Sequence, residues 1–441
     1  MSHDMIALVM FASMMLMLMT GQRVFAAIGF VGAIAGVMLW GTGGVAIPFS
    51  AAMKLMKWYP LLTLPMFIFM GYILSESRIA DDLYRMFHVW MGPVRGGLAI
   101  GTIGLMVLIS AMNGLSVAGM AIGATIALPE LLRRGYDKTM VTGVIQAGSS
   151  LGILVPPSVV LVLYAMIARQ PVGQLWLAGV LPGLMMAAMF ILYVAIRCRL
   201  QPHLGPVLPE SEREQISRAE KFRLLGAGLL PLGIFAAMMV PFVNGWTSLV
   251  ESSAIGALTA FAAAVLKGRM TREVFENSVR KTLGVSCMFM WIIMAALAFG
   301  AIFDGLGAVR AIEGLFTQQM GLSPWTILIL MQLSFILMGT FLDDTAMLVI
   351  VAPLYVPLVD QLGFDLIWYG VLYTITTQIA YMTPPFGYNL FLMRAMAPPE
   401  IGLRDIYRSI LPFVLVMAGA LALIMAFPDI ALWLPGVVYG N

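Results

Sequence analysis

Charge is the scarcest property of this sequence. Only 11% of its 441 residues are Asp, Glu, Lys or Arg, roughly half the share found in an ordinary soluble protein. Hydrophobic residues make up 61% and the mean hydropathy is +0.95. So little polar surface cannot coat so large an apolar mass, and the bilayer is predicted to be the solvent. Cysteine is almost missing. Cys198 and Cys287 lie in or beside apolar segments, which implies neither a disulfide framework nor a metal site. The only histidines, His3, His88 and His203, have no neighbours at ligand spacing. With no nucleophile motif beside them, neither an enzyme nor an organic cofactor is expected. A net charge of +3 reflects where the basic residues sit and does not point to nucleic acid. The first apolar run, 5–19, lacks a basic flank and a small-residue cleavage site, and is predicted to be a retained helix.

Apolar runs of spanning length, about 17–25 residues, recur along the chain. Crossings are predicted at 4–20, 24–40, 59–75, 140–168, 174–197, 223–243, 248–266, 283–303, 366–394 and 407–427. Two further stretches, 97–132 and 323–358, are nearly twice too long for one crossing, and each is interrupted by a polar knot. In the first the knot is Ser110-Ala-Met-Asn113-Gly-Leu-Ser116, and in the second Gly339-Thr-Phe-Leu-Asp343-Asp344-Thr345. Non-helical backbone at membrane depth persists only where protein or a watery cavity satisfies it, so both stretches are predicted to be re-entrant hairpins. With the N-terminus outside, every basic residue except Lys54, Lys57, Arg169 and Arg310 falls on the cytoplasmic side, as the positive-inside rule requires. The predicted fold class is therefore an all-α polytopic membrane protein of about ten crossings plus two hairpins, with both termini outside. Segments 76–92 and 305–319 read as amphipathic interfacial helices, 199–222 as a cytoplasmic linker, and 428–441 as an outer tail.

The two halves resemble one another. Pro129, Gly135, Tyr136, Asp137, Pro156 and Pro157 are matched 228 residues later by Pro357, Gly363, Phe364, Asp365, Pro384 and Pro385. Ala27-Ile28-Gly29 matches Ala254-Ile255-Gly256, and Met91-Gly92 matches Met320-Gly321, at nearly the same offset. Each half, 1–198 and 223–427, holds five crossings and one hairpin. Five is odd, so the second half is predicted to run upside down. Inverted repeats with broken helices are the architecture of secondary transporters, whose ligand site lies near the midplane between the repeats.

The chemistry is expected at the breaks. In Gly148-Ser-Ser-Leu-Gly152-Ile-Leu-Val155-Pro156-Pro157-Ser158 two adjacent prolines delete two amide donors and clash with carbonyls one turn back. Freed carbonyls in a low-dielectric setting are costly unless something binds them, and a small hard cation suits oxygen ligands. Thr376-Thr-Gln-Ile-Ala380-Tyr-Met-Thr383-Pro384-Pro385-Phe386-Gly387 repeats the arrangement. The hairpin tips add Ser110, Asn113, Ser116, Thr340 and Thr345 as neutral oxygen donors, and half-helix N-termini as anion sites. Asp343 and Asp344 are the most deeply placed acids; a carboxylate there costs at least about 2.5 kcal/mol, which makes an intramembrane role the first hypothesis. Capping of a half-helix is the plainer one. Candidate substrate contacts are Ser116, Ser149, Ser150, Thr340, Asp343, Asp344, Thr345 and Thr376.

On these segments the chain resembles the large membrane subunit (permease, DctM-type) of the TRAP, or tripartite ATP-independent periplasmic, transporters. The most specific parts are Pro129 through Gly135-Tyr136-Asp137 to Gly152-Ile-Leu-Val-Pro156-Pro157-Ser158, then Thr383-Pro384-Pro385-Phe-Gly387 and Glu251-Ser252. The resemblance implies a sodium-coupled symporter subunit of a bacterial inner membrane, importing a small organic acid anion by an elevator motion, with periplasmic termini. It also implies two partners, a small four-helix membrane subunit and a periplasmic substrate-binding protein. Carried over by motif, one sodium site would use Ser110, Asn113, Gly152, Val155 and Pro157, and the other Gly339, Ala380, Thr383 and Phe386. Thr376, Gln378 and Ala380 stand where the family commonly has Asn, Glu and Gly, and Asn113-Gly-Leu-Ser116 replaces a tip rich in serine and alanine. Gln378 with Phe386-Gly387 is closer to a branch handling monocarboxylates, keto acids or aromatic acids than to the sialic-acid branch. If Asp343 or Asp344 titrates instead, the alternative is a proton- or ion-coupled antiporter or exporter of the same architecture.

Overall fold

The computed structural model describes residues 2–20, 22–114, 116–207, 217–314, 321–340, 344–384 and 387–440, and all regular structure among them is helical. Without water to satisfy peptide groups, helices are the economical way to carry apolar runs through a bilayer. The first half holds α1 (His3–Met19), α2 (Val24–Trp40), α3 (Thr42–Met56), α4 (Thr63–Glu76) and α5 (Ile79–Met91). It continues through α6 (Gly97–Asn113), α7 (Ser116–Ile122), α8 (Leu128–Arg133), α9 (Lys138–Ser150), α10 (Val159–Ala168) and α11 (Val172–Leu200). The second half holds α12 (Arg218–Val243), α13 (Leu249–Leu266), α14 (Arg272–Gly305), α15 (Ala308–Gly314) and α16 (Pro324–Gly339). After these come α17 (Asp344–Gln361), α18 (Leu366–Tyr381), α19 (Tyr388–Met396), α20 (Leu403–Ala426) and α21 (Asp429–Tyr439). Among the described residues six helical segments are individually long and apolar enough to cross a membrane: Tyr59–Glu76, Val172–Leu200, Ala219–Val243, Leu249–Leu266, Arg272–Gly305 and Leu403–Ala426.

Packing follows the repeat. Helix α2 lies against α14, and its counterpart α13 lies against α4, the counterpart of the end of α14. Likewise α6 packs on α9 as α16 packs on α18, and α9 packs on α20 as α11 packs on α18. Small residues let the first of these pairs close up: a Cβ at Gly32 would stand 3.2 Å from the Phe299 backbone, and one at Gly256 2.9 Å from Met70 Sδ.

The repeated Gly-aromatic-Asp motif has a local physical meaning. Gly135 (φ +74°) and Gly363 (φ +78°) adopt the left-handed conformation that ends a helix. The next amide in each case reaches back to a carbonyl five residues earlier, Tyr136 to Leu131 at 3.1 Å and Phe364 to Val359 at 3.2 Å. The aspartate then caps the following helix. Asp137 Oδ1 accepts from the Met140 amide at 2.9 Å, and Asp365 Oδ1 accepts from the amides of Ile367 and Trp368 at 2.8 Å. Asp137→Ala and Asp365→Ala are each expected to cost about 1 kcal/mol, read as comparable falls in the thermal midpoint of the purified protein. A loss confined to one of them would break the equivalence of the two ends.

Each hairpin starts and finishes at one place. At the first, the Leu98 amide donates to Tyr136 Oη at 3.2 Å, while the Gly96 and Asp137 amides donate to Gly205 and Leu204 carbonyls at 3.0 and 3.1 Å. At the second, the equivalent contact is the Trp325 ring on Phe364, with centroids 5.2 Å apart. Residues predicted on the cytoplasmic side pair across segments: Lys267 and Arg269 on Asp82 at 2.7 and 2.8 Å, Lys281 on Glu76 at 2.6 Å, and Lys138 on Asp405 at 2.7 Å.

Some expectations need correction. The stretch between the second and third predicted crossings is a helix, α3, which the run Gly41 to Met56, with its glycines, Pro48 and Lys54, had obscured. Its counterpart is the first part of α14, which begins at Arg272 instead of 283 and runs unbroken for 34 residues. In the first half the Trp58-Tyr59-Pro60 turn separates α3 from α4. The tail at 428–441 carries helix α21, which packs along α11. Glu251 completes a capping box with Ser248, its carboxylate accepting from the Ser248 amide at 2.6 Å.

Candidate functional site

The two broken helices meet at the centre. The Gln378 side-chain amide on α18 donates to the Ser150 carbonyl on α9 at 2.9 Å. These residues are 228 apart, the repeat offset itself. Two equivalent positions can touch only near the axis that exchanges them, so this bond marks the pseudo-two-fold axis. On either side of it lie the breaks, 151–158 between α9 and α10, and 382–387 between α18 and α19.

The first break is docked against the first hairpin tip. Gly114, in left-handed backbone (φ +63°), takes the Val159 amide on its carbonyl at 3.3 Å. A Cβ on Gly114 would overlap the Pro157 carbonyl oxygen. Pro156 and Pro157 are buried and joined by a cis peptide bond. The carbonyls around the break divide into two groups. Ser150 is taken by Gln378, Ile153 by the Ser158 hydroxyl, and Ser158 by Trp176 Nε1 at 3.3 Å. Those of Gly152, Val155 and Pro157 accept no hydrogen bond among the described residues. These three are the backbone positions picked out for the first cation set. Bare carbonyls in a buried setting are costly unless occupied.

The second break differs. Gly339, at the end of α16, sits so close to α18 that a Cβ would overlap Ala380 Cβ and approach Met347 Sδ to 2.9 Å. Yet the Ala380 carbonyl already accepts from the Thr383 amide at 3.0 Å, and the Thr383 hydroxyl donates to Ile379 O at 2.6 Å. Thr383 retains lone pairs, but Ala380 is not a bare oxygen here. Pro384 is exposed rather than buried. Asp343, Pro385 and Phe386 lie outside the described residues, as do the side chains of Ser110, Asn113, Asp344 and Thr345.

Several expected substrate contacts are engaged internally. Ser149 and Ser150 hydroxyls donate to Gln146 O and Ala147 O at 2.9 and 2.7 Å, and Thr340 donates to Leu337 O at 2.8 Å. Thr376 donates to Gln332 Oε1 at 2.6 Å, tying α18 to α16. Ser116 is buried at the start of α7. Asn389 escaped the sequence reading. It lies two residues beyond Gly387 on α19, is fully buried, and neither its amide nitrogen nor its oxygen has a partner among the described residues. Helix α19 packs on α7 of the first hairpin, so Asn389 belongs to the element that joins the second break to the first hairpin. A lone Asn after a proline pair carries no periodic signal that would single it out.

Paired re-entrant hairpins, each resting on a broken helix about a pseudo-two-fold axis, define the permease class of membrane transporters. The model of the family described as tripartite ATP-independent periplasmic transporter, DctM component, matches residues 9–430, and the chain belongs to that family. It is 30% identical over 394 residues to the C4-dicarboxylate TRAP transporter large permease protein DctM of Pseudomonas aeruginosa, covering 88% of this chain and 89% of that one. It is 26% identical over 382 residues to the ectoine TRAP transporter large permease protein TeaC of Halomonas elongata, covering 86% and 87%. Among solved structures it is similar in fold to the YdaH transporter of Alcanivorax borkumensis, with a TM-score of 0.64 at 16% identity over 88% of this chain and 90% of that one.

Proposed function

We propose that this chain is the large permease subunit of a sodium-coupled importer of a small organic acid anion, working with a small membrane subunit and a periplasmic binding protein. Support for the sodium claim rests on one observation, the carbonyls of Gly152, Val155 and Pro157 that accept no hydrogen bond among the described residues, the last of them against the Gly114 tip. Buried oxygens left without hydrogen-bond donors suit a hard monovalent or divalent cation. The Asn389 amide offers two N–H donors to a carboxylate, the group shared by the acids in question. Helices α2, α4, α13 and α14 serve as the fixed frame, and the hairpins with the broken helices serve as the moving part. Both termini lie on the periplasmic side of an inner membrane. The substrate is a carboxylate, the class named for the C4-dicarboxylate relative of Pseudomonas aeruginosa.

Uptake by the complex reconstituted in vesicles is expected to run under an inward sodium gradient and to fall to the level of empty vesicles when that gradient is collapsed at constant potential. Undiminished uptake without the gradient would remove the sodium claim.

A further inference from the structure

Lys54, Lys57, Arg169 and Arg310 are the basic residues that the charge distribution leaves on the outer side. They come from three separate parts of the chain, yet all four line two clefts, of about 690 and 820 Å³, that share Lys54, Leu297 and Pro357 and so adjoin. One wall is α3 and α14 with α15; the other is the end of α10, the second half of α17 and the start of α18. The groove thus separates the helices read as frame from those read as moving. Asp304 and Asp360 also line it. None of the four cations is ion-paired with a described residue. Four of the cations predicted on the opposite side, Lys267, Arg269, Lys281 and Lys138, are instead paired with carboxylates. Four cations without an ion-pair partner among the described residues, against two lining carboxylates, leave the groove electropositive. Low-dielectric walls focus such a field and raise the local concentration of anions.

We propose that this groove is an anion-capture site that holds a small carboxylate, released at the outer face, before it reaches the hairpin tips. The assignment rests on the outward orientation proposed above, but not on sodium coupling. It gives the departures from the positive-inside rule a use: cations there cost little in topology and draw a negatively charged cargo to the gap between the moving and fixed parts. The same chemistry would accept a lipid phosphate entering from the bilayer, and the test separates the two.

The reporter is Ser50→Cys, exposed on α3 and lining the groove, in full-length protein carrying Cys287→Ala; buried Cys198 stays in place. Reconstituted in phosphatidylcholine vesicles, it is treated from outside with membrane-impermeant thiosulfonates bearing either a sulfonate or a trimethylammonium group. Normalised to a small thiol, the sulfonate is expected to react faster by about tenfold or more. Arg310→Gln with Lys54→Gln should bring the ratio close to one. Succinate should slow labelling where equal ionic strength of chloride does not. Gln361→Cys, also exposed in the groove, is a second reporter that keeps every cation. A ratio at or below one, absence of protection by succinate, or labelling only from the opposite face overturns the proposal. So does loss of that protection when phosphatidylglycerol is added, because a lipid headgroup is then the occupant. Sodium and partner subunits play no part in this readout, so failure of the sodium claim leaves it standing.

Discussion

Asn389→Leu is expected to make the purified protein more stable and the transporter far less active. A fully buried amide with neither atom partnered carries a desolvation cost of about 1–3 kcal/mol that an apolar side chain of similar volume removes. The thermal midpoint of the ligand-free protein should therefore rise. If the amide is there to hold a carboxylate, losing hydrogen bonds to a charged group costs about 1.5–3 kcal/mol of binding, or roughly 10–150-fold in affinity. Uptake at low substrate should drop accordingly. Melting curves and uptake assays on one preparation test both halves. A variant that is less stable and equally active would show that Asn389 is an ordinary packing residue.

Gly114→Val is expected to abolish uptake while the protein still inserts and keeps its helical content. Left-handed backbone costs a residue with a Cβ about 1–2 kcal/mol, and the added atoms would occupy the position of the Pro157 carbonyl oxygen. A backbone oxygen on a buried proline has little room to retreat, so the tip must lift off the break and uncover the bare carbonyls. Gly245 provides the control: its φ is +72°, but nothing lies within 4 Å of its would-be Cβ. Gly245→Val carries the backbone strain without the collision and should transport nearly normally. Equal losses in both variants would mean that strain alone matters and that tip docking does not.

Much of this architecture was legible because its signals are local or periodic. The offset between Gly135-Tyr136-Asp137 and Gly363-Phe364-Asp365 could be read because a helix stop, an aromatic and a cap are all written within three residues. The polar knot around Asn113-Gly114 marked a turn because membrane-depth backbone tolerates polarity only with a reason. Helix α3 was obscured for the opposite cause: Gly43, Gly44, Pro48 and Lys54 weaken its apolar run, and its partners α2 and α14 supply the packing that sustains it.

The site was legible only in part. Proline pairs announce that carbonyls are freed, but not which find new donors. That Ile153 is taken by the Ser158 hydroxyl while Gly152 and Val155 are left bare depends on the path of the chain through the break. Thr376 looked like a substrate contact and is bonded to Gln332, 44 residues away, because α16 docks there.

By itself the sequence determined the solvent, the helical class, the repeat and the places where helices break, since each follows from composition, period or the covalent chemistry of proline and glycine. Tertiary structure alone decided that Ser150 and Gln378 meet on the axis, that Asn389 is buried without a partner, and that four scattered cations share one groove. Burial and proximity depend on which distant segments arrive together, and no short-range pattern encodes that arrival.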